Sequence, residues 1–293
     1  MQPKRPNDGT DNRVTWTDQM VPGTRSVDVS ARVYRGSATR SKQVVLHLHS
    51  GSFVAGSLDS GGTISTLLAQ AGATVVSIDY PLAPQHPFPQ ALDAAFDVLT
   101  QMGRRCSDLA DKKATFYVAG EEAGGNLAAA LALMARDQRS PVFAGQILLS
   151  PMVDPSLATC SVREAKAGPA GCQWADGWHQ YLGSPARAAH PYASPIGSSR
   201  LAGVAPALLV TAEDDLLRDE TLTYARRLRE SGVAVRQHVL SGPTGWPCAL
   251  HGSQAHASQD PAWADDLREL FRTFFADTAS PSSFVSSHHH VPA

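Results

Sequence analysis

Tyr117-Val118-Ala119-Gly120-Glu121-Glu122-Ala123-Gly124-Gly125-Asn126-Leu127 is the stretch on which the fold turns. An aliphatic and aromatic run leads in, glycines stand two positions either side of Glu122, and an alanine- and leucine-rich run leads out. That order predicts a strand, a sharp turn and a helix, because glycine lets the chain double back where a side chain would collide. Glu122 sits at the apex, the position such a turn presents to whatever binds above it.

Outward from this turn, short β-branched or aliphatic runs recur at Val44 to His47, Thr74 to Ile78, Thr115 to Val118, Gln146 to Leu149, Ala207 to Thr211 and Val233 to Val239. Most are continuously apolar, as strands buried on both faces must be. Between them lie helical stretches, several with apolar residues at i, i+3, i+4 spacing: roughly Gly62 to Ala71, Pro89 to Met102, Gly124 to Arg136, Asp219 to Ser231 and Pro261 to Phe275. The alternation predicts an α/β fold, with a mainly parallel central sheet covered by helices on both faces. The segment from Asp154 to Leu201 breaks the rhythm. It is rich in Ala, Gly, Ser and Pro, carries Trp174, Trp178, Tyr181 and Tyr192, and reads as an insertion over the top of the sheet.

At 293 residues and 43% hydrophobic, the chain can bury one large core, and one domain is expected. A formal charge of -2, with acids and bases interspersed, offers no basic surface for nucleic acid or anionic lipid. The expected partner is a small molecule. The polar stretch from Met1 to Thr17 lacks the apolar run of a secretory signal, and no apolar stretch reaches membrane-spanning length, so a cytoplasmic location is expected. Cys106, Cys160, Cys172 and Cys248 form no CxxC pair and are read as reduced. Thr278 to Ala293 reads as a polar tail, and its His288, His289 and His290 as unstructured rather than as a metal site. No cluster with metal-ligand spacing and no phosphate-cradling GxGxxG after a strand is found, so no metal and no cofactor are expected.

Two further segments bear on chemistry. The strand ending at His47 runs into His49-Ser50-Gly51-Ser52-Phe53-Val54-Ala55-Gly56-Ser57, a small-residue turn of the kind that exposes backbone N–H groups. Asp79-Tyr80-Pro81-Leu82-Ala83-Pro84-Gln85-His86-Pro87-Phe88-Pro89 is an extended, proline-spaced connection with a structural role.

Together these motifs resemble the hormone-sensitive-lipase-like esterases of the α/β-hydrolase fold. His49 to Ser57 is similar to that family's HGGG turn, Asp79 to Pro89 to its DYRLAPE-type connection, and Gly120 to Asn126 to its GDSAGGN elbow. Ser150-Pro151, Tyr192 to Pro195 and the Thr211 to Glu220 segment follow in the family's order. The resemblance covers roughly residues 25 to 276. It implies an α/β-hydrolase domain over 25–277, a cap insertion over about 154–201, an N-terminal segment 1–24 that forms part of the cap, and a flexible tail over 278–293. It leaves a homodimer open.

The family mechanism uses an elbow serine, a histidine that takes its proton and an aspartate that orients the histidine. By resemblance the aspartate is Asp215, and Glu122 stands where the serine would be. Ungapped alignment puts Gly245 at the histidine position, whereas an insertion of about six residues would put His251 there. The implied oxyanion-hole donors are the N–H groups of Gly51, Ser52 and Ala123, and Ser52 is tolerated only if the turn makes no demand for positive φ.

Loss of the nucleophile of such a triad costs about a millionfold in turnover. Three readings follow. The chain is a non-catalytic descendant that keeps a small-molecule pocket for binding or regulation, as in the plant gibberellin receptors that resemble the same family. Alternatively, Glu122 supports altered chemistry as nucleophile or general base, or Ser50 or Ser52 sustains residual ester hydrolysis. Acids at a helix N-terminus are also favoured by about 0.3–1 kcal/mol without any catalytic role. The first reading carries a geometric expectation: the Glu122 carboxylate folds back and accepts hydrogen bonds from Gly51, Ser52 or Ala123, leaving Asp215 structural and Asp214 and Asp219 as loop and helix-cap acids.

Overall fold

The computed structural model describes residues 13–23, 26–37, 40–104, 109–140, 142–164, 168–250 and 260–279. Its strands are β1 Thr15–Val21, β2 Val29–Arg35, β3 Gln43–Leu48, β4 Thr74–Asp79, β5 Thr115–Glu121, β6 Gly145–Leu149, β7 Ala207–Ala212 and β8 Val235–Leu240. They form one 8-stranded sheet in the order β1-β2-β4-β3-β5-β6-β7-β8. The pairings β1 with β2 and β2 with β4 are antiparallel, and all the others are parallel.

The apolar runs in the sequence are the inner strands. Along β3, Val44, Leu46 and Leu48 enter the core on one face of the sheet and Val45 enters the core on the other, the alternation of an extended chain. The first face carries helices α2 Gln90–Arg104, α3 Ala123–Gln138 and α6 Arg218–Glu230, and the second carries α1 Gly62–Gln70 and α7 Ala264–Ala279. Helix α3 is buried along most of its length. Its alanines and glycines let it lie close against the sheet.

The two strands at the N-terminal edge are not read from the sequence. β2 alternates, with Ala31 and Val33 buried and Arg32 facing outward, so it has no continuous apolar run. β1 is exposed along nearly its whole length. It is held by backbone pairing and by the Arg32 guanidinium, which donates to Asp18 at 2.7 and 2.9 Å and to Asp59 at 2.6 Å. Residues 15–21 thus form the outermost strand of the sheet.

Between β6 and β7 the chain forms α4 Cys160–Glu164, α5 Gly168–Leu182 and two short 3-10 turns. Helix α5 lies on the HGGG-like turn. The rings of Phe53 and Tyr181 stack at 4.0 Å, and a Cβ on Gly177 would come within 2.2 Å of the Ser52 carbonyl oxygen. Trp174, Trp178 and Tyr181 are buried in this contact. Among the described residues, no helix is long and apolar enough to cross a membrane.

Candidate active site

The elbow forms as the glycines predict. Glu122 connects β5 to α3 with φ 52° and ψ -114°. For a residue with a side chain this costs roughly 1–3 kcal/mol and persists only where the surroundings enforce it. Here a Cβ on Gly120 would lie 2.2 Å from the Gly124 oxygen, and one on Gly124 would lie 2.0 Å from the Leu48 oxygen. Larger residues at either position would force the turn open.

The side chain of Glu122 bends back over the 49–53 turn. Its Oε2 accepts from the N–H of Gly51 at 2.6 Å and of Ser52 at 3.0 Å. Its Oε1 accepts from Ser52 Oγ at 2.9 Å and from the indole Nε1 of Trp174 at 2.6 Å. The residue is 1% exposed. Of the three expected donors, Gly51 and Ser52 therefore reach the carboxylate. Ala123 opens α3 immediately beside it. Ser52 takes φ 53°, so the turn does demand a left-handed residue at this position and holds serine there nonetheless.

Glu121 points away from Glu122 into the second core. Its Oε2 lies 2.7 Å from His47 Nε2, and its Oε1 accepts from Ser50 N at 3.3 Å. His47 Nδ1 lies 3.0 Å from Ser77 Oγ and 3.1 Å from Ser65 Oγ. Three consecutive N–H groups, those of Ser50, Gly51 and Ser52, are thus taken up by two consecutive glutamates. Convergent backbone N–H groups of this kind form an anion-binding concavity. Behind the turn, Tyr80 Oη donates to the His49 carbonyl at 2.7 Å while its ring stacks on His49 at 4.3 Å. Burial first, and the nearby Glu122 charge next, push the Tyr80 phenol well up, so it stays a proton donor.

Asp215 is buried at the end of β7. Its Oδ2 accepts from Ser150 Oγ at 2.5 Å and from Thr211 Oγ1, and its Oδ1 accepts from Leu217 N at 2.9 Å. Burial raises its carboxyl above the ordinary value, against the pull of these hydrogen bonds. Asp214 holds the following loop instead: it accepts from Thr244 N at 2.7 Å, Thr244 Oγ1 at 2.7 Å and Gly245 N at 2.8 Å. Burial works to raise Asp214, but the bonds from Gly245 and Thr244 outweigh it and hold the carboxyl below the ordinary range. Gly245 has φ 73°, in the left-handed region. Asp219 accepts from Ser161 N at 2.8 Å, tying α6 to α4. His251 lies outside the described residues.

Two contacts here are not legible in the motifs. Trp174 was visible as an aromatic of the insertion, but nothing in local spacing says that its indole reaches the elbow. Cys248 is exposed, and its thiol is pushed up first by burial and then by the charges of Glu122 and Asp215. Among the described residues no group of three or more His, Cys, Asp or Glu is arranged to hold a metal ion.

Residues 45–244 match the family model of the alpha/beta hydrolase fold. Ethyl acetate hydrolase of Pseudomonas putida is 36% identical over 206 residues, covering 68% of this chain and 64% of that protein, so the chain spans just under two thirds of that relative. Carboxylesterase NlhH of Mycobacterium tuberculosis is 33% identical over 248 residues, covering 81% of this chain and 75% of the relative. Among solved structures, esterase LipW from Mycobacterium marinum superposes with a TM-score of 0.77 at 33% identity, covering 92% of this chain and 83% of that one. With its elbow between β5 and α3 and its sheet ordered β1-β2-β4-β3-β5-β6-β7-β8, the chain belongs to the alpha/beta-hydrolase fold-3 family of hormone-sensitive-lipase-like esterases.

Proposed function

We propose that this chain is a carboxylesterase homologue that has given up serine-based ester hydrolysis and keeps its small-molecule pocket for binding or regulation, as a protein of the cytoplasm. The observation that carries the reading is the position of Glu122 Oε2, 2.6 Å from Gly51 N and 3.0 Å from Ser52 N. An oxyanion hole works by aiming unspent donors at the charge that develops on a substrate oxygen. Here those donors are spent on a charge the protein carries already. Asp215, with its partners Ser150, Thr211 and Leu217, then serves the stability of the β7 end.

The same contacts count against Glu122 as nucleophile or general base. Among the described residues each of its oxygens accepts two hydrogen bonds, which occupy the lone pairs an attack would use. A second reading has one contact in its favour: Ser52 Oγ donates to Glu122 Oε1 at 2.9 Å, the geometry of a hydroxyl beside a base.

Hydrolysis of a short-chain p-nitrophenyl ester separates these readings. Wild type is expected to match Glu122→Ala. Turnover above Glu122→Ala that disappears in Ser52→Ala would establish Ser52 as nucleophile, and turnover lost in Glu122→Gln but kept in Ser52→Ala would establish Glu122. A gain in Glu122→Ser would show that a working hole and a histidine remain around the elbow.

A further inference from the structure

The donors around Glu122 are arranged for a different guest from the one an esterase elbow receives. The single oxygen of a tetrahedral intermediate is served by two or three converging N–H groups. Among the described residues the donors at this elbow reach both oxygens: Gly51 N and Ser52 N on Oε2, Ser52 Oγ and Trp174 Nε1 on Oε1. An ionised carboxyl group offers about four lone-pair sites on two equivalent oxygens, and these donors serve both oxygens. An ester does not fit the pattern, because its second oxygen carries an alkyl group and accepts weakly. A carboxamide fits worse, since its NH2 would face donors.

We propose that the 50–52 turn and Trp174 form a carboxylate receptor, that Glu122 occupies it as an intramolecular ligand, and that the small molecules this protein accepts are short monocarboxylic acids rather than esters. The proposal rests on the reading that serine-based hydrolysis has been given up, and it names the ligand class of the same site. Tethering gives Glu122 a high effective concentration, so a free acid competes poorly until the side chain is displaced or removed. Trp174 extends the control to the cap: the indole that completes the receptor belongs to α5, so filling and emptying the site is coupled to how firmly that helix rests on the elbow. At 1% exposure each of these hydrogen bonds is electrostatically stronger than the same bond in water.

The test is titration of Glu122→Ala with acetate, which replaces the deleted CH2–COO⁻, and with acetamide as the neutral shape control, read by calorimetry and by thermal shift. The expected result is saturable acetate binding at least tenfold tighter than acetamide, at least tenfold tighter than acetate binding to wild type, and weakened in Glu122→Ala/Trp174→Phe. Equal affinity for acetate and acetamide, equal affinity in wild type, or no saturable binding overturns the proposal. A second measurement needs no Glu122 variant: amide hydrogen exchange at Gly51 and Ser52 in wild type and in Trp174→Phe. Exchange at least tenfold faster in Trp174→Phe, with β3 unchanged, supports a receptor completed by the indole, and unchanged exchange at Gly51 and Ser52 overturns it. Ester turnover decides the loss of hydrolysis independently, so a protein that hydrolyses esters and one that ignores acids are told apart.

Discussion

Glu121 Oε2 lies 2.7 Å from His47 Nε2, with both side chains fully buried beneath the elbow, one residue before the glutamate that fills the turn from above. The pair joins the ends of β3 and β5 and, through Ser50 N, fixes the start of the HGGG-like turn. Removing one member of a buried pair strands the other, whereas removing both need not.

Glu121→Ala is accordingly expected to lower stability by about 3–5 kcal/mol. The double variant Glu121→Leu with His47→Leu is expected to recover most of that loss. Urea denaturation of the two variants and wild type measures this, and a double variant as unstable as Glu121→Ala would show that the pair is not the source.

Trp174 and Trp178 make a matched comparison. Both are buried tryptophans of α5, but Trp174 Nε1 donates to Glu122 while Trp178 Nε1 has no partner among the described residues. Trp174→Phe strips a donor from a buried carboxylate and is expected to cost about 1.5–3 kcal/mol. Trp178→Phe removes an unmet donor and is expected to cost clearly less. Equal losses in denaturant unfolding would mean that the indole bond to Glu122 adds nothing beyond packing.

Ser52 combines a favourable contact with an unfavourable backbone. Its Oγ donates to Glu122, but its φ of 53° is in the left-handed region that suits glycine. Ser52→Ala loses the bond and keeps the strain; Ser52→Gly loses the bond and relieves it. Ser52→Gly is therefore expected to be about 1 kcal/mol more stable than Ser52→Ala. The reverse order in thermal or urea unfolding would show that the surroundings offset the strain.

How much of this was legible in the sequence follows from which forces act locally. The inner strands show because burial on both faces demands runs such as Val44 to His47, and the elbow shows because Gly120 and Gly124 have no substitute in so tight a turn. β1 did not show, because an exposed edge strand is held by backbone pairing and by Arg32, neither of which leaves an apolar pattern. The bend of Glu122 onto Gly51 and Ser52 could be anticipated, since a turn rich in N–H groups faces an acid across the elbow. The indole of Trp174 could not, because its position depends on how an insertion folds over the sheet. The pull of Asp214 on Gly245, in place of any contact from Asp215, depends likewise on side-chain direction at the β7 end, which spacing does not encode.

Glu220 gives the chain a pH dependence of definite sign. Burial, and after it the charge of Asp154, pushes its carboxyl well above the ordinary value of 4.5. Oε2 accepts from Asp154 N at 3.0 Å, while Oε1 has no partner among the described residues. The native state holds this proton more tightly than the unfolded chain does, so its contribution is full below 4.5 and is lost as pH rises through the window up to the raised value. Glu220→Gln keeps the neutral shape at every pH. It is expected to match wild type near pH 4.5 and to exceed it near neutrality. Asp215, raised in the same direction, is present in both proteins, and its charge is a smaller cause of the Glu220 rise. A constant difference between the two unfolding curves across that range would refute the assignment.

Cys248 supplies a chemical reporter of charge at the elbow. The thiol is exposed, yet it is pushed up from 9.0 first by burial and then by Glu122 and Asp215, so little of it is thiolate near neutral pH. Only the thiolate is alkylated at a useful rate. Glu122→Gln removes one of the two negative charges named, so the thiolate fraction at a given pH rises. Iodoacetamide labelling of Cys248, followed by peptide mass spectrometry at several pH values, is expected to speed up in Glu122→Gln with its pH midpoint moved down. Cys160, also exposed, is the internal reference. If both cysteines accelerate together, the variant has loosened the whole fold. If Cys248 does not respond, the Glu122 charge is too well screened by its hydrogen-bond donors to be felt at the loop.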